Sequence, residues 1–278
     1  MKKILVPTDF SPNAGNALKF AYLFAKENNC KFSLLNVYNF SVYDPNMPPE
    51  ILSDVIKQSS QNSTEGLDLL ISEFEKTYPD FKSFLLDKIT AEGNTIETIE
   101  TAASEGKFDI IIMGTKGASG IEEVLIGSNA YSVLAKSKVP VLIVPEKSEY
   151  NGLETILYAI DLTSSEMPAL KELQGLIDLK KKDLTFLHLS GELEEDLTYD
   201  EKVFFDEIKE NLKDVSCKFE FAKCVHISDC LEKMIHTLKA DLLVVSKKKR
   251  DFLENLFHQS ISKKLACHTD VPLLALQK

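Results

Sequence analysis

The chain has 278 residues, which favours two domains over one, and its net charge of −11 argues against a phosphate-tracking nucleic-acid domain and against adhesion to an anionic membrane. With 44% hydrophobic and 27% charged residues it is an ordinary globular chain, and no apolar run approaches the roughly 18 residues that a membrane span needs. Asp9 interrupts the first apolar run too early for a signal peptide, and five cysteines do not indicate a secreted disulfide framework, so a cytoplasmic location is expected.

Short apolar runs alternate with helical patterns along the first half of the chain. After Ser11-Pro12, for example, Ala14, Ala17, Leu18 and Ala21 fall on one face of a predicted helix. Predicted strands cover residues 4–7, 31–38, 81–89, 109–113 and 139–144, and predicted helices cover residues 14–25, a long segment ending near 77, 95–104 and 128–135. Because several strands are continuously apolar, the pattern predicts an α/β fold with a parallel sheet covered by helices on both faces.

The pattern starts again in the second half of the chain. Asp161 corresponds to Asp9 at an offset of 152 residues, and Ser246 corresponds to Gly114 at an offset of 132 residues. The change of offset gives the first copy about 20 extra residues, which we expect mostly near residues 41–64. We therefore predict two tandem domains of one kind, residues 1–146 and residues 153–278, joined by a polar linker.

A glycine-rich segment follows the apolar strand that ends at Met113. It consists of Gly114-Thr115-Lys116-Gly117, then nine residues, then Gly127-Ser128. Such glycines permit positive φ and let backbone amides approach a phosphate, and Gly127-Ser128 opens a helix whose unpaired N–H groups favour an anion, with Ser128 as N-cap or phosphate ligand. The alternative is a pair of tight turns that need glycine for conformation alone. The spacing is neither a Walker A sequence nor a dinucleotide fingerprint.

This spacing resembles the ATP-binding motif of the universal stress protein family. The opening Ile4-Leu5-Val6-Pro7-Thr8-Asp9 and the closing Val139-Pro140-Val141-Leu142-Ile143-Val144-Pro145 resemble the family too, so nearly the whole chain looks like two copies of its domain. The resemblance implies an open, Rossmann-like sheet of five parallel strands in each domain, with ATP, with or without Mg²⁺, in the first domain. It implies nine nucleotide-binding residues: Pro7, Asp9, Val37, Met113, Gly114, Gly117, Gly127, Ser128 and Asn129.

The resemblance also implies what these residues do. Pro7 and Asp9 would hold adenine and ribose beside Val37; Met113 and Gly114 would approach the ribose and α-phosphate; Gly117, Gly127 and Ser128 would cradle the phosphates. Asn129-Ala130 stands where nucleotide-binding members often carry a second hydroxyl; Asn129 can still donate a hydrogen bond, whereas Ala130 cannot. Alternative roles are an N-cap for Asp9 and core packing for Val37 and Met113.

The second copy has lost the glycine motif. The three glycines are replaced by Ser246, Lys249 and Gln259, and only the serine is kept, as Ser260, so no ATP is expected there. The basic run 247–250 is either a solvated loop or a site for an anion or an acidic partner. A further alternative is a metal site or redox sensor, because four residues could supply ligands near one strand-to-helix connection: Cys224, His226, Cys230 and His236. Their spacing fits no standard zinc template, so no metal ligand is predicted.

Three functions remain open: an ATP-binding regulatory protein, an interaction protein with a relic nucleotide site, and an ATP-consuming enzyme. Since no metal-holding acid and base stand out near the expected γ-phosphate, binding is favoured over turnover, with at most slow hydrolysis. Both copies keep the final strand, at residues 139–144 and 271–276, through which the family's domains associate. We expect the two domains of one chain to pair through these strands, with a further homodimer as a weaker expectation.

Overall fold

A computed structural model describes residues 1–39, 48–115, 127–160, 162, 166–190, 198–223, 227–246 and 271–277. These residues form two compact units: those up to Val141 belong to the first, and those from Leu142 onward belong to the second. The predicted domain boundaries, at 146 and 153, stay a prediction. None of the helices in the described part of the chain combines the length and apolar character that crossing a bilayer would require.

The first unit alternates strands and helices. Its elements are β1 (Lys3–Pro7), α1 (Pro12–Glu27), β2 (Lys31–Tyr38), α2 (Pro49–Thr77), α3 (Phe81–Phe84), β3 (Leu85–Glu92), α4 (Thr95–Glu105), β4 (Ile110–Gly114) and α5 (Ser128–Lys136), and the chain then enters β5 (Val141–Val144). The strands β3-β2-β1-β4 lie side by side in that order, and each of these pairs is parallel. The carboxyl ends of β1, β2 and β4 therefore open at one edge, where parallel sheets bind ligands.

The second unit has the same alternation. Its remaining elements are β6 (Thr155–Ala159), α6 (Met167–Leu176), β7 (Asp183–Ser190), α7 (Tyr199–Asn211), β8 (Ser216–Lys223), α8 (Ile227–Leu238), β9 (Leu242–Ser246) and β10 (Leu273–Leu276). The strands lie in the order β10-β9-β6-β7-β8 and are parallel throughout. The predicted fold class, α/β with parallel sheets and helices in two tandem domains, is confirmed.

Local sequence explains where the first helix begins. The side chain of Ser11 accepts a hydrogen bond from the Ala14 amide at 3.2 Å, and Pro12 occupies the first helical turn, where a missing N–H costs nothing. The apolar face of α1 is buried and includes Ala17, Leu18 and Ala21. This packing places the β1–α1 loop, and Asp9 within it, at the carboxyl edge of the sheet.

The prediction of one strand over residues 81–89 is wrong at its start. Residues Phe81–Phe84 form the short helix α3, and the strand begins at Leu85. Phe81 is buried among aromatic rings, with its ring centroid 5.6 Å from that of Tyr22 and 5.1 Å from that of Phe32. This cluster requires a helical turn before the strand, and the apolar pattern alone could not distinguish the two conformations.

Equivalent backbone hydrogen bonds recur in the two units. The amide of Thr8 donates to Leu35 at 2.8 Å, and that of Ile160 donates to Leu187 at 2.9 Å, an offset of 152 at both ends. The bond from Ile111 to Pro140 has its counterpart between Leu243 and Pro272, both 2.9 Å long and 132 residues apart. Helix α2 has 29 residues, whereas α7 has 13.

Candidate functional site

A cleft of about 330 Å³ lies at the carboxyl edge of the first unit's sheet. Its volume is within the roughly 300–1,000 Å³ typical of small-molecule sites. Eight of the nine predicted nucleotide-binding residues line it: Pro7, Asp9, Val37, Met113, Gly114, Gly127, Ser128 and Asn129. The ninth, Gly117, lies outside the described residues. The structure thus brings together residues that are more than 100 positions apart in sequence.

The β1–α1 loop supplies Pro7, Thr8 and Asp9 to the cleft. One carboxylate oxygen of Asp9, Oδ1, accepts a hydrogen bond from the Ser11 amide at 3.1 Å, which closes a local turn. The N-cap of α1 is Ser11, so Asp9 does not have that role. The Asp9 side chain is exposed at the cleft and is the only charged side chain among the described residues that line it.

Gly114 has a structural role in addition to the predicted ones. Its φ is not positive, so the conformational freedom of glycine is not used here, and the approach of a phosphate without a Cβ in the way stays a prediction. A Cβ built on Gly114 would instead lie 2.9 Å from the backbone oxygen of Asn13, closer than real Cβ atoms approach. Glycine therefore lets the end of β4 lie against the start of α1, which brings two walls of the cleft together.

The N-terminus of α5 forms the polar wall of the cleft. Gly127 is the N-cap, in ordinary extended backbone (φ −61°, ψ 156°), and no side chain caps the helix. Ser128 is the first helical residue, so its predicted role as N-cap is wrong, while its position beside the cleft leaves the ligand role as a prediction. The first N–H groups of a helix have no intrahelical acceptor and carry partial positive charge, so this wall suits an anion.

Apolar side chains form another part of the lining. Leu35 and Val37 come from β2, Met113 from β4 and Ile99 from α4. Sequence reasoning missed Leu35 and Ile99, together with Thr8, Ala14, Thr95 and Thr115, which also line the cleft. Thr95 could have been found, because Asn94 caps α4 by accepting from the amides of Ile96 and Glu97, and the first turn of that helix follows the carboxyl end of β3. A cleft that combines apolar side chains with an uncapped helix N-terminus can hold a molecule with a flat apolar part and an anionic part.

Comparison with known proteins identifies the family. A sequence model described as the universal stress protein family matches residues 1–145, about half of the chain. The chain belongs to the universal stress protein family. A universal stress protein of Bacillus subtilis is 32% identical over 148 residues, which are 51% of this chain and 97% of that protein. One of Methanocaldococcus jannaschii is 29% identical over 147 residues, 51% of this chain and 81% of that protein.

The likeness in structure extends over both units. The crystal structure of a universal stress protein from Archaeoglobus fulgidus covers 99% of this chain and 98% of its own, with a TM-score of 0.72 and 21% identity. At that identity the likeness shows the fold alone. Family membership assigns the chain to the stress-response proteins, which are generally regulatory rather than enzymatic.

The second unit of this universal stress protein has three polar side chains where the first has small or apolar ones. Tyr158, Glu166 and Ser246 correspond to Val6, Ala14 and Gly114 at the two offsets. The Glu166 side chain is 1% exposed; its Oε2 accepts from the Tyr158 hydroxyl at 3.1 Å and its Oε1 from the Ser246 hydroxyl at 2.9 Å. Burial and the neighbouring Glu166 carboxylate raise the pKa of Tyr158 well above its usual range. The position of the missing glycine is thus occupied by a hydrogen-bonded side chain.

The described residues offer little support for a metal site in the second unit. They contain no group of three or more His, Cys, Asp or Glu side chains placed to hold a metal ion. Cys230 is disulfide-bonded and is not available as a thiolate. Cys224 and His226, the basic run 247–250, and Gln259 and Ser260 lie outside the described residues.

Proposed function

We propose that the chain binds one ATP, with or without Mg²⁺, in the cleft of the first unit and acts as a nucleotide-responsive regulatory protein. The observation that carries this proposal is the convergence of eight predicted nucleotide-binding residues on a single cleft, which is lined both by the uncapped start of α5 and by apolar side chains. Adenine would lie against the apolar side chains, and the phosphates would lie at the helix N-terminus. Asp9 and Pro7 would hold the ribose end.

The second unit would be a degenerate copy of the same domain that holds no nucleotide. The recurrence of backbone hydrogen bonds at offsets of 152 and 132 supports a tandem repeat. Ser246 occupies the place of Gly114, and its bond to Glu166 puts a buried carboxyl group beside the position where an anion would approach. Both features disfavour a phosphate in this unit.

Binding without efficient turnover agrees with the composition of the cleft. Phosphoryl transfer requires a group that holds the metal and a second group that positions or activates the nucleophile. Asp9 is the only acidic residue that lines the described part of the cleft, and no Lys, Arg or His is found there. Asp9 could contact ribose or a metal ion, but it cannot supply the whole constellation.

The test is calorimetric titration of the full chain with ATP, comparing the wild type with Gly127→Val. The backbone of Gly127 has φ −61°, which valine also adopts, so the variant adds a branched side chain to the polar wall of the cleft without backbone strain. We expect one ATP per wild-type chain and at least a tenfold loss of affinity in the variant. Gly175→Val is the matched control, because a Cβ there meets nothing within 4 Å.

A thermal melt provides an independent readout. ATP at about 100 times its wild-type dissociation constant should stabilise the wild type by about 2.7 kcal/mol, and at the same concentration it should stabilise Gly127→Val by no more than about 1.4 kcal/mol. A wild-type chain that neither titrates nor gains melting temperature with ATP contradicts the proposal.

That result would favour the second candidate, an interaction protein with a relic nucleotide site. Ala130 is the observation in its favour, because this buried residue lines the cleft where related sites often present a hydroxyl.

A further inference from the structure

The cleft loop is held from outside the cleft by Asn36, near the end of β2. Asn36 is 7% exposed and does not line the cleft. Its Nδ2 donates to the backbone oxygen of Thr8 at 2.8 Å, and its Oδ1 accepts from the hydroxyl of Ser63 at 2.7 Å. Ser63 lies on α2 and is 3% exposed. A buried chain of two hydrogen bonds therefore connects α2 to the residue that precedes Asp9.

Helix α2 also contacts the residue that follows Asp9. Phe10 has φ of 63°, which is uncommon for a residue with a side chain, and its ring lies against Gly66. A Cβ on Gly66 would lie only 2.7 Å from Cζ of that ring. Ser63 and Gly66 are three residues apart and so share one face of the helix. Both neighbours of Asp9 are thus held by the same face of α2.

The second unit contains the counterpart of the first of these bonds. His188 corresponds to Asn36 at the offset of 152, and its Nδ1 lies 3.2 Å from the backbone oxygen of Ile160, the counterpart of Thr8. A side-chain donor to this carbonyl therefore occurs in both units, through two different residue types. Histidine at position 36 can accordingly be expected to supply the same donor.

We propose that Asn36, braced by Ser63, is a positioning residue that fixes Asp9 for recognition of the ribose hydroxyls of the nucleotide. This inference rests on the proposed function and deepens it, because it assigns selectivity for a ribonucleotide to contacts behind the cleft. The polar wall at the start of α5 is formed by other residues, and the hydrogen bonds of the Asn36 side chain do not involve it. Loss of the brace should therefore weaken discrimination at the sugar more than binding of the phosphates.

The experiment compares the affinities of the full chain for ATP and for 2′,3′-dideoxy-ATP, which keeps the base and the phosphates but lacks both ribose hydroxyls. We expect the wild type to prefer ATP about tenfold, the effect of about one hydrogen bond to a carboxylate. Ser63→Ala should reduce the preference to about threefold, and Asn36→Leu should reduce it to nearly one. Asn36→His should keep it.

Ser72→Ala is the matched control, since Ser72 is an exposed serine of the same helix whose hydroxyl bonds to the backbone oxygen of Asp68. It should leave the preference unchanged. Circular dichroism checks that each variant is folded, and where Asn36→Leu fails to fold, the comparison of Ser63→Ala with Ser72→Ala decides.

The two proposals fail in different ways. A wild type that binds neither nucleotide overturns the proposed function, and this inference with it. A wild type that binds both equally, or folded variants that keep the full preference for ATP, overturn the inference and leave ATP binding intact. Asn36→His behaving like Asn36→Leu also contradicts it, because the donor to Thr8 would then not be what matters.

Discussion

Gly114 determines how closely the end of β4 can approach α1. One of its two α-hydrogens faces the backbone of Asn13. A Cβ in that position would lie 2.9 Å from the carbonyl oxygen of Asn13 and 3.1 Å from its carbonyl carbon. Backbone atoms cannot rotate away as the end of a flexible side chain can. The glycine is therefore a structural requirement of the cleft, whatever the cleft binds.

Replacing Gly114 by alanine should destabilise the protein by about 1–3 kcal/mol, the usual cost of overpacking a buried site. Urea denaturation measures this free energy of unfolding. Gly175→Ala is the control and should leave stability unchanged or raise it, because its Cβ meets nothing and alanine favours the helix. A Gly114→Ala chain as stable as the wild type would show that α1 can move away from β4.

For single residues, the sequence predicted which ones line the cleft more accurately than it predicted their structural roles. The glycine spacing led to Gly114, Gly127 and Ser128, yet Gly114 does not use positive φ and Ser128 is not the N-cap. Ile99 carried no sequence signal, because its approach to the cleft depends on how α4 packs in the folded unit, whereas Thr95 could have been found from the Asn94 cap beside it. In the sequence, Asn36 is only a polar residue within an apolar strand, and its role becomes evident from its two hydrogen bonds in the structure.

Three elements of the second unit are joined at Glu166. Tyr158 lies on β6, one residue before the strand ends. Glu166 immediately precedes α6, and Ser246 is the last residue of β9. The corresponding positions of the first unit hold Val6, Ala14 and Gly114, whose side chains offer no hydrogen bond, and Ala14 and Gly114 line the cleft. The described residues of the second unit thus carry a buried polar network at these positions, and such networks are costly when only partly satisfied.

Glu166→Ala should lower the free energy of unfolding by about 2–4 kcal/mol, because it leaves the buried hydroxyls of Tyr158 and Ser246 without their acceptor. Glu166→Gln keeps one acceptor oxygen and offers an amide donor to the oxygen of the other hydroxyl, so it should cost less than the alanine variant. Chemical denaturation gives both values, with the exposed Glu149→Ala as control. Equal losses for the alanine and glutamine variants would contradict this prediction, because the acceptor oxygen that glutamine keeps would then contribute nothing.

The bounds of helices and strands were predictable where the pattern of apolar residues alone determined them. The bounds of β2, residues 31–38, and the end of α2 at Thr77 follow from their patterns. The helix α3 does not, because its turn is set by contacts of Phe81 with rings on α1 and β2 that are distant in sequence. Tertiary packing overrode local preference at that point.

At the scale of the whole molecule, an acidic chain is proposed to bind an anion. With a net charge of −11, the long-range field opposes the approach of ATP, and the described residues that line the cleft include no basic side chain. Among the described residues, recognition of phosphate would rest on short-range donors, the amides and hydroxyls at the start of α5. Such contacts are only weakly screened by salt, in contrast to binding by a basic patch.

The final strands are where we expect the two domains of one chain to pair. Both strands are short and apolar, and every residue of β5 and of β10 is buried. The second unit begins at Leu142 and so includes most of β5, even though the family's pattern places that strand in the first domain. A fragment that ends at residue 146 would therefore keep this strand but lose the rest of the unit to which it belongs.

We expect the isolated fragment 1–146 to self-associate or to become poorly soluble, because an apolar strand edge left unpaired recruits another edge. Pro140 at the start of this segment suits an edge position, since proline donates no ladder hydrogen bond, and it does not prevent pairing along Val141–Val144. Light scattering over a range of concentrations measures the mass of the fragment beside that of the full chain. A wild-type fragment that stays a soluble monomer at high concentration would rule out pairing through the final strands as the contact that completes the domain.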